Sequence, residues 1–189
     1  MTPFDFFFSL FGLILGLAIA VLIGGLSDVL RERERTPIGW LTPMLGLFLL
    51  LDLTTLWVNA WTGLRTIQVA YGPFMAAMVI AGIYFFAASM VFPKTASDWP
   101  SLDDYYRKHY RFVIGGVLIA NLGLAVIDAV SNRDWNRMVA AFTRSEVTAS
   151  WWIALVTMMI FSQRRVQLLG LTVLLIGAGY ATAVFWTPR

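Results

Sequence analysis

The sequence predicts an all-α integral membrane protein, a bundle of six transmembrane helices, and three observations point to it. Six long apolar stretches fill most of the 189 residues, with little between them. Hydrophobic residues make up 59% of the chain and charged residues 13%, against roughly 25% charged residues in a globular domain. The stretches are also continuously apolar and do not alternate with period two, which excludes a transmembrane β-barrel. A bilayer core about 30 Å thick needs roughly 20 apolar residues per helix, so six crossings use about two thirds of the chain. That leaves a single polytopic domain over residues 1–189 and no room for a sizeable soluble one.

The first stretch runs from Phe6 to Leu26. It lacks the positive leader and short apolar core of a cleaved signal peptide, since Asp5 is the only charge before Phe8. Gly12, Gly16, Ala20 and Gly24 recur every four residues and form a smooth stripe for close helix packing. This places the first helix at the centre of the bundle or at an oligomer interface. Alternating charges from Asp28 to Arg35 carry that helix out of the bilayer as a solvated end.

The second stretch runs from Ile38 to Ala60, with Pro43 tolerated near its start. The third runs from Pro73 to Phe92, bracketed by Pro73 and Pro93. Before the fourth, Phe112 to Ser131, lies the longest loop. There Ser101 and Asp104 resemble a capping box that opens a short interfacial helix over Asp103 to Arg111. Tyr105, Tyr106, Tyr110 and the Arg residues of that segment suit lipid headgroups, and His109 among them reads as a plain interfacial histidine. The fourth and fifth stretches are joined by residues 132–147, where Trp135, Met138, Val139 and Phe142 recur at spacings of three and four. These form one face of a helix lying on the surface or docking a partner. The fifth stretch, Ser150 to Phe161, is short and borrows residues from about Glu146; the sixth runs from Gln167 to Trp186. Gly116, Ala120 and Gly123 in the fourth stretch, and Gly170, Gly177, Ala178, Ala181 and Ala183 in the sixth, extend the pattern of small packing residues.

Threading follows from charge. Loops one, three and five share a side and carry Arg31, Arg33, Arg35, Lys94, Arg107, Lys108, Arg111, Arg164 and Arg165. The other side carries Arg65, Arg133, Arg137, Arg144 and Arg189. The positive-inside rule then sets both termini outside, in what reads as a bacterial inner membrane. Trp57, Trp61, Trp135, Trp151, Trp152 and Trp186 gather near the outer interface and Trp40 near the inner one, as anchoring aromatic belts do. Short echoes link the two halves: Gly16-Leu17-Ala18-Ile19 with Gly123-Leu124-Ala125-Val126, and Val91-Phe92-Pro93 with Val184-Phe185-Trp186-Thr187-Pro188. A three-helix unit repeated once would be inverted, an arrangement found in secondary transporters.

Chemistry is sparse. The chain has no cysteine and a single histidine, His109, so thiolate chemistry and disulfides are excluded. Neither H-E-x-x-H nor G-x-S-x-G occurs. Nucleic-acid binding has no support from a net charge of +3 spread over separate loops. The R-x-x-x-F-S-D pattern of bacterial lysosomal-type potassium channels is absent, although Ser27-Asp28 follows the first stretch, and no stretch carries the regularly spaced arginines of a voltage sensor. The sequence names no cofactor.

Ionisable groups at membrane depth are costly and mark functional positions by default. Asp52 lies well inside the second stretch, with Thr55 three and Asn59 seven residues further along the same face. Asn121 sits at similar depth in the fourth stretch, with Asp128 seven residues on. Two such stripes could line a common path on which a carboxylate binds a cation or cycles a proton; the alternative is that these groups are structural. The expected function is accordingly a small oligomeric channel or transporter for a cation or proton. The alternative is a non-catalytic subunit or assembly factor packed against a larger membrane complex.

Overall fold

The computed structural model describes residues 3–64 and 71–185. Among them the chain forms seven α-helices and no strand: α1 (Pro3–Arg31), α2 (Leu41–Leu64), α3 (Tyr71–Ser89), α4 (Leu102–Ser131), α5 (Asn136–Thr143), α6 (Glu146–Ile160) and α7 (Arg164–Phe185). A 3-10 turn, Ala96–Asp98, lies between α3 and α4. Five helices, α1, α2, α3, α4 and α7, are long and apolar enough to cross a membrane, and α6 is a shorter apolar helix. Arg65, Arg189, Trp186 and the 186–188 end of the internal echo lie outside the described residues.

Polar contacts fix which helix ends meet. The Leu102 amide donates to the Pro37 carbonyl, and the Leu41 amide donates to Asp103 Oδ1 at 3.4 Å, so α2 and α4 begin at the same end of the bundle. Arg164, the first residue of α7, pairs with Asp103 Oδ2 at 3.1 Å, so α7 begins there too. The Ser97 amide donates to Glu32 beyond α1, and Tyr105 donates from its hydroxyl to the Met90 carbonyl beyond α3. Loops one, three and five therefore share one end, as the charge reading requires, and the chain runs back along α4 between Ser131 and Arg164.

α2 is the hub, packing against α1, α3, α4 and α7. Its buried residues Leu41, Leu45, Phe48, Leu49, Leu53, Leu56 and Ala60 recur at spacings of three and four. Phe11 and Leu15 of α1, Tyr84 of α3, Ile114 of α4 and Leu155 of α6 are also fully buried.

The short interfacial helix expected over Asp103 to Arg111 is instead the opening of α4, which continues unbroken to Ser131. The cap is as expected: Ser101 Oγ accepts from the Asp104 amide at 3.2 Å and donates to Asp104 Oδ2 at 2.6 Å. The helix continues because Leu102, Tyr106, Tyr110, Val113, Val117 and Ala120 form one buried stripe through the polar segment into the apolar one. The expected surface helix in loop four is α5, whose Phe142 packs on Trp152 and whose Ala141 carbonyl accepts from Trp152 Nε1 at 3.1 Å.

The α1 stripe is only partly used within the chain. Gly12 is buried against the Trp57 ring, whereas Gly16, Ala20 and Gly24 are exposed, with open space where a Cβ would stand at the two glycines. The α4 stripe does pack: a Cβ on Gly116 would lie 3.3 Å from Ala87 Cβ, and one on Gly123 would lie 3.5 Å from Ile80. In α7, Gly170 faces Met158 and Gly177 faces Val147.

Among the described residues Gly39 is the tightest glycine, because a Cβ there would fall on the Asp103 carboxylate. Gly39→Ala must push that carboxylate off the Leu41 amide and Arg164. A loss of about 2 kcal/mol is expected, the scale of stranded polar groups, read as a lower melting temperature of the detergent-purified protein.

Candidate polar site between three helices

Asp52 lies midway along α2, in an otherwise apolar run. Its Oδ2 accepts a 2.6 Å hydrogen bond from the Tyr84 hydroxyl of α3. Tyr84 Oη accepts in turn from Asn121 Nδ2 of α4 at 2.7 Å. The same amide nitrogen donates to the Val117 carbonyl one turn earlier at 2.9 Å, which fixes the Asn121 side chain along its own helix. Tyr84 is 1% exposed and Asp52 half-buried. The Tyr84–Asp52 length falls in the range of charge-assisted O–H···O bonds.

Local sequence explains the meeting. Ala77, Ala81, Ala87 and Ala88 make the buried face of α3, so α3 and α4 approach closely and the phenol of Tyr84 projects from that face toward α2. A buried tyrosine hydroxyl needs a polar partner, and Asp52 and Asn121 serve it from both sides. Sequence reasoning singled out Asp52 and Asn121 but missed Tyr84, which joins them. Its spacing from the alanines was the available signal, since position 84 lies on the same 3.6-residue face.

The other candidates stay apart. Thr55 Oγ1 donates to its own helix at the Leu51 carbonyl, 3.0 Å away, and Asn59 is exposed nearer the end of α2. Asp128 does not reach the Asp52 site. Its Oδ2 pairs with Arg137 Nε of α5 at 2.9 Å and its Oδ1 accepts from Asn132 at the same distance, with about half its side chain exposed. Arg137, the second residue of α5, reaches back to Asp128 and ties the end of α4 to α5.

His109 is held structurally: it stacks on Tyr105, meets the Trp99 edge, and donates from Nδ1 to the Tyr105 carbonyl at 3.0 Å. Among the described residues, no three His, Asp or Glu side chains converge as metal ligands, and no buried side-chain polar atom lacks a hydrogen-bond partner. Chemically, the site is a carboxyl group with one hydroxyl donor, itself fixed by an amide donor from a third helix. No family model, curated protein or solved structure matches the chain.

Proposed function

We propose that this chain is a small multi-pass transport protein that handles a proton or another cation at Asp52. The observation that carries this reading is the Asp52–Tyr84–Asn121 hydrogen-bond chain, which puts a carboxyl group of an apolar helix where three helices meet. Carboxylates are rare at such depth because holding charge there is costly. Here the carboxyl and its donor belong to different helices, α2 and α3, so a shift of one against the other would lengthen the bond and free Asp52 for a cation.

The proposal includes six crossings, with α6 as the fifth. The Asp103–Arg164 pair supports this count, because α4 leaves that end of the bundle and α7 starts from it again. It also includes the orientation with both termini outside, in a bacterial inner membrane, on the strength of the basic residues gathered in loops one, three and five. The 3+3 repeat is not included. α1 packs extensively on α3, whereas the corresponding α4 and α7 are not a closely packed pair among the described residues.

The test is flux of protons and monovalent cations in proteoliposomes, with the wild-type protein and Asp52→Asn. Flux that falls to the empty-liposome background in Asp52→Asn, while the variant stays folded, is the expected result. Equal flux in both would overturn the reading. A second reading, a non-catalytic membrane subunit, draws on the exposed Gly16, Ala20 and Gly24 of α1, where a partner helix could approach closely. Absence of flux from folded wild-type protein, together with a stoichiometric membrane partner, would favour it.

A further inference from the structure

α4 carries two cations at the head of an exposed apolar face. Exposed Phe112, Ile119, Leu122, Val126 and Val130 recur at intervals of seven, three and four, which puts them on one side of the helix. Lys108 precedes Phe112 by one turn and lies on the same side, with Arg111 flanking it. Both are exposed, and both stand where the Tyr-Arg-Lys-His-Tyr-Arg segment gives way to the apolar run from Phe112. Each is steadied by an aromatic ring. Lys108 Nζ lies 5.3 Å from the Trp99 ring centroid, and Arg111 Nε donates to the Tyr110 hydroxyl at 3.1 Å. Nearby acids are engaged elsewhere: Asp104 pairs with Arg107, and Asp103 pairs with Arg164. Among the described residues, neither Lys108 nor Arg111 is in an ion pair.

We infer that Lys108 and Arg111 form a binding site for the phosphate of an anionic phospholipid, whose acyl chains lie along Phe112 and Ile119. A cation at the apolar border is drawn to headgroup phosphate, and arginine offers a planar fork of donors to it. Tyr110 uses only the Nε–H of Arg111, which leaves the terminal nitrogens for the ligand. The site does not depend on the transport reading; it depends only on α4 facing lipid.

The test is native mass spectrometry of the detergent-purified protein titrated with phosphatidylglycerol or phosphatidylcholine. Wild type is expected to bind phosphatidylglycerol in preference. Lys108→Gln/Arg111→Gln is expected to weaken that binding about tenfold or more, from the attraction each basic residue near a membrane surface contributes. Arg33→Gln/Arg35→Gln removes the same charge from the same end of the bundle and is expected to keep the preference. Should the first pair fail to fold, Lys108→Arg/Arg111→Lys, which keeps both charges, must retain phosphatidylglycerol binding while either single glutamine variant loses part of it. Equal weakening by the Arg33/Arg35 pair, equal binding of phosphatidylcholine, or equally effective competition by inorganic phosphate at the lipid's concentration would each overturn the inference.

Discussion

Tyr84→Ala is expected to destabilise the protein by about 3 kcal/mol, the lower part of the range for removing a buried aromatic side chain. Tyr84 is among the largest fully buried side chains, so its removal leaves a cavity between α2, α3 and α4. The lower part of the range applies because lipid is as apolar as the core, so the lost term is packing and hydrogen bonding more than transfer from water. Tyr84→Phe separates the two contributions. It keeps the ring but strips Asp52 of its donor and Asn121 of an acceptor, an effect of about 1–2 kcal/mol. Thermal unfolding in mild detergent, followed by the loss of monodisperse protein, measures both. A Tyr84→Phe variant as damaged as Tyr84→Ala would mean that the polar chain, more than the ring, holds the three helices.

Gln167→Leu is expected to be comparably severe. Gln167 is 1% exposed and serves three helices at once. Its Nε2 donates to the Met158 carbonyl at 2.8 Å and the Phe161 carbonyl at 2.6 Å, and its Oε1 accepts from the Tyr106 hydroxyl at 2.6 Å. The last four carbonyls of any helix lack partners within it, so Gln167 of α7 closes the end of α6 while anchoring to α4. Leucine fills the space but strands the two carbonyls and a buried phenol, at about 1–3 kcal/mol per stranded group. The combined loss is expected to reach about 3 kcal/mol. Adding Tyr106→Phe to Gln167→Leu should recover part of it, since removing both partners of a bond costs less than removing one. A double variant no more stable than Gln167→Leu, measured by the same unfolding assay, would show that Tyr106 finds another partner.

These two residues illustrate what was legible. Asp52 and Asn121 stand out in the sequence because each interrupts an apolar run, and the structure brings both into one hydrogen-bond chain. Tyr84 does not stand out, because an aromatic ring in a membrane stretch satisfies the hydrophobic pattern whether or not its hydroxyl is used. Gln167 and Asp103 lie at the edges of apolar stretches, where polar residues are expected to be wet; only contact with α2, α6 and α7 buries them. Asp128 shows the reverse. Its spacing from Asn121 is the spacing of a polar face, but Arg137 comes close only after the α4–α5 bend is made.

The sequence by itself determined the long apolar helices and the grouping of loops one, three and five at one end of the bundle. Those properties follow from apolar length, caps and charge, which are local or additive along the chain. Tertiary structure decided which faces meet. The stripe of Gly12, Gly16, Ala20 and Gly24 is periodic, but periodicity names no neighbour, and among the described residues only Gly12 is buried against one. Likewise, the polar opening of α4 reads as a separate helix until its buried tyrosines are seen to continue the stripe of Val113 and Val117. Helix packing depends on pairs of surfaces distant in sequence, and in a membrane no difference in hydrophobicity marks which apolar face turns to protein and which to lipid.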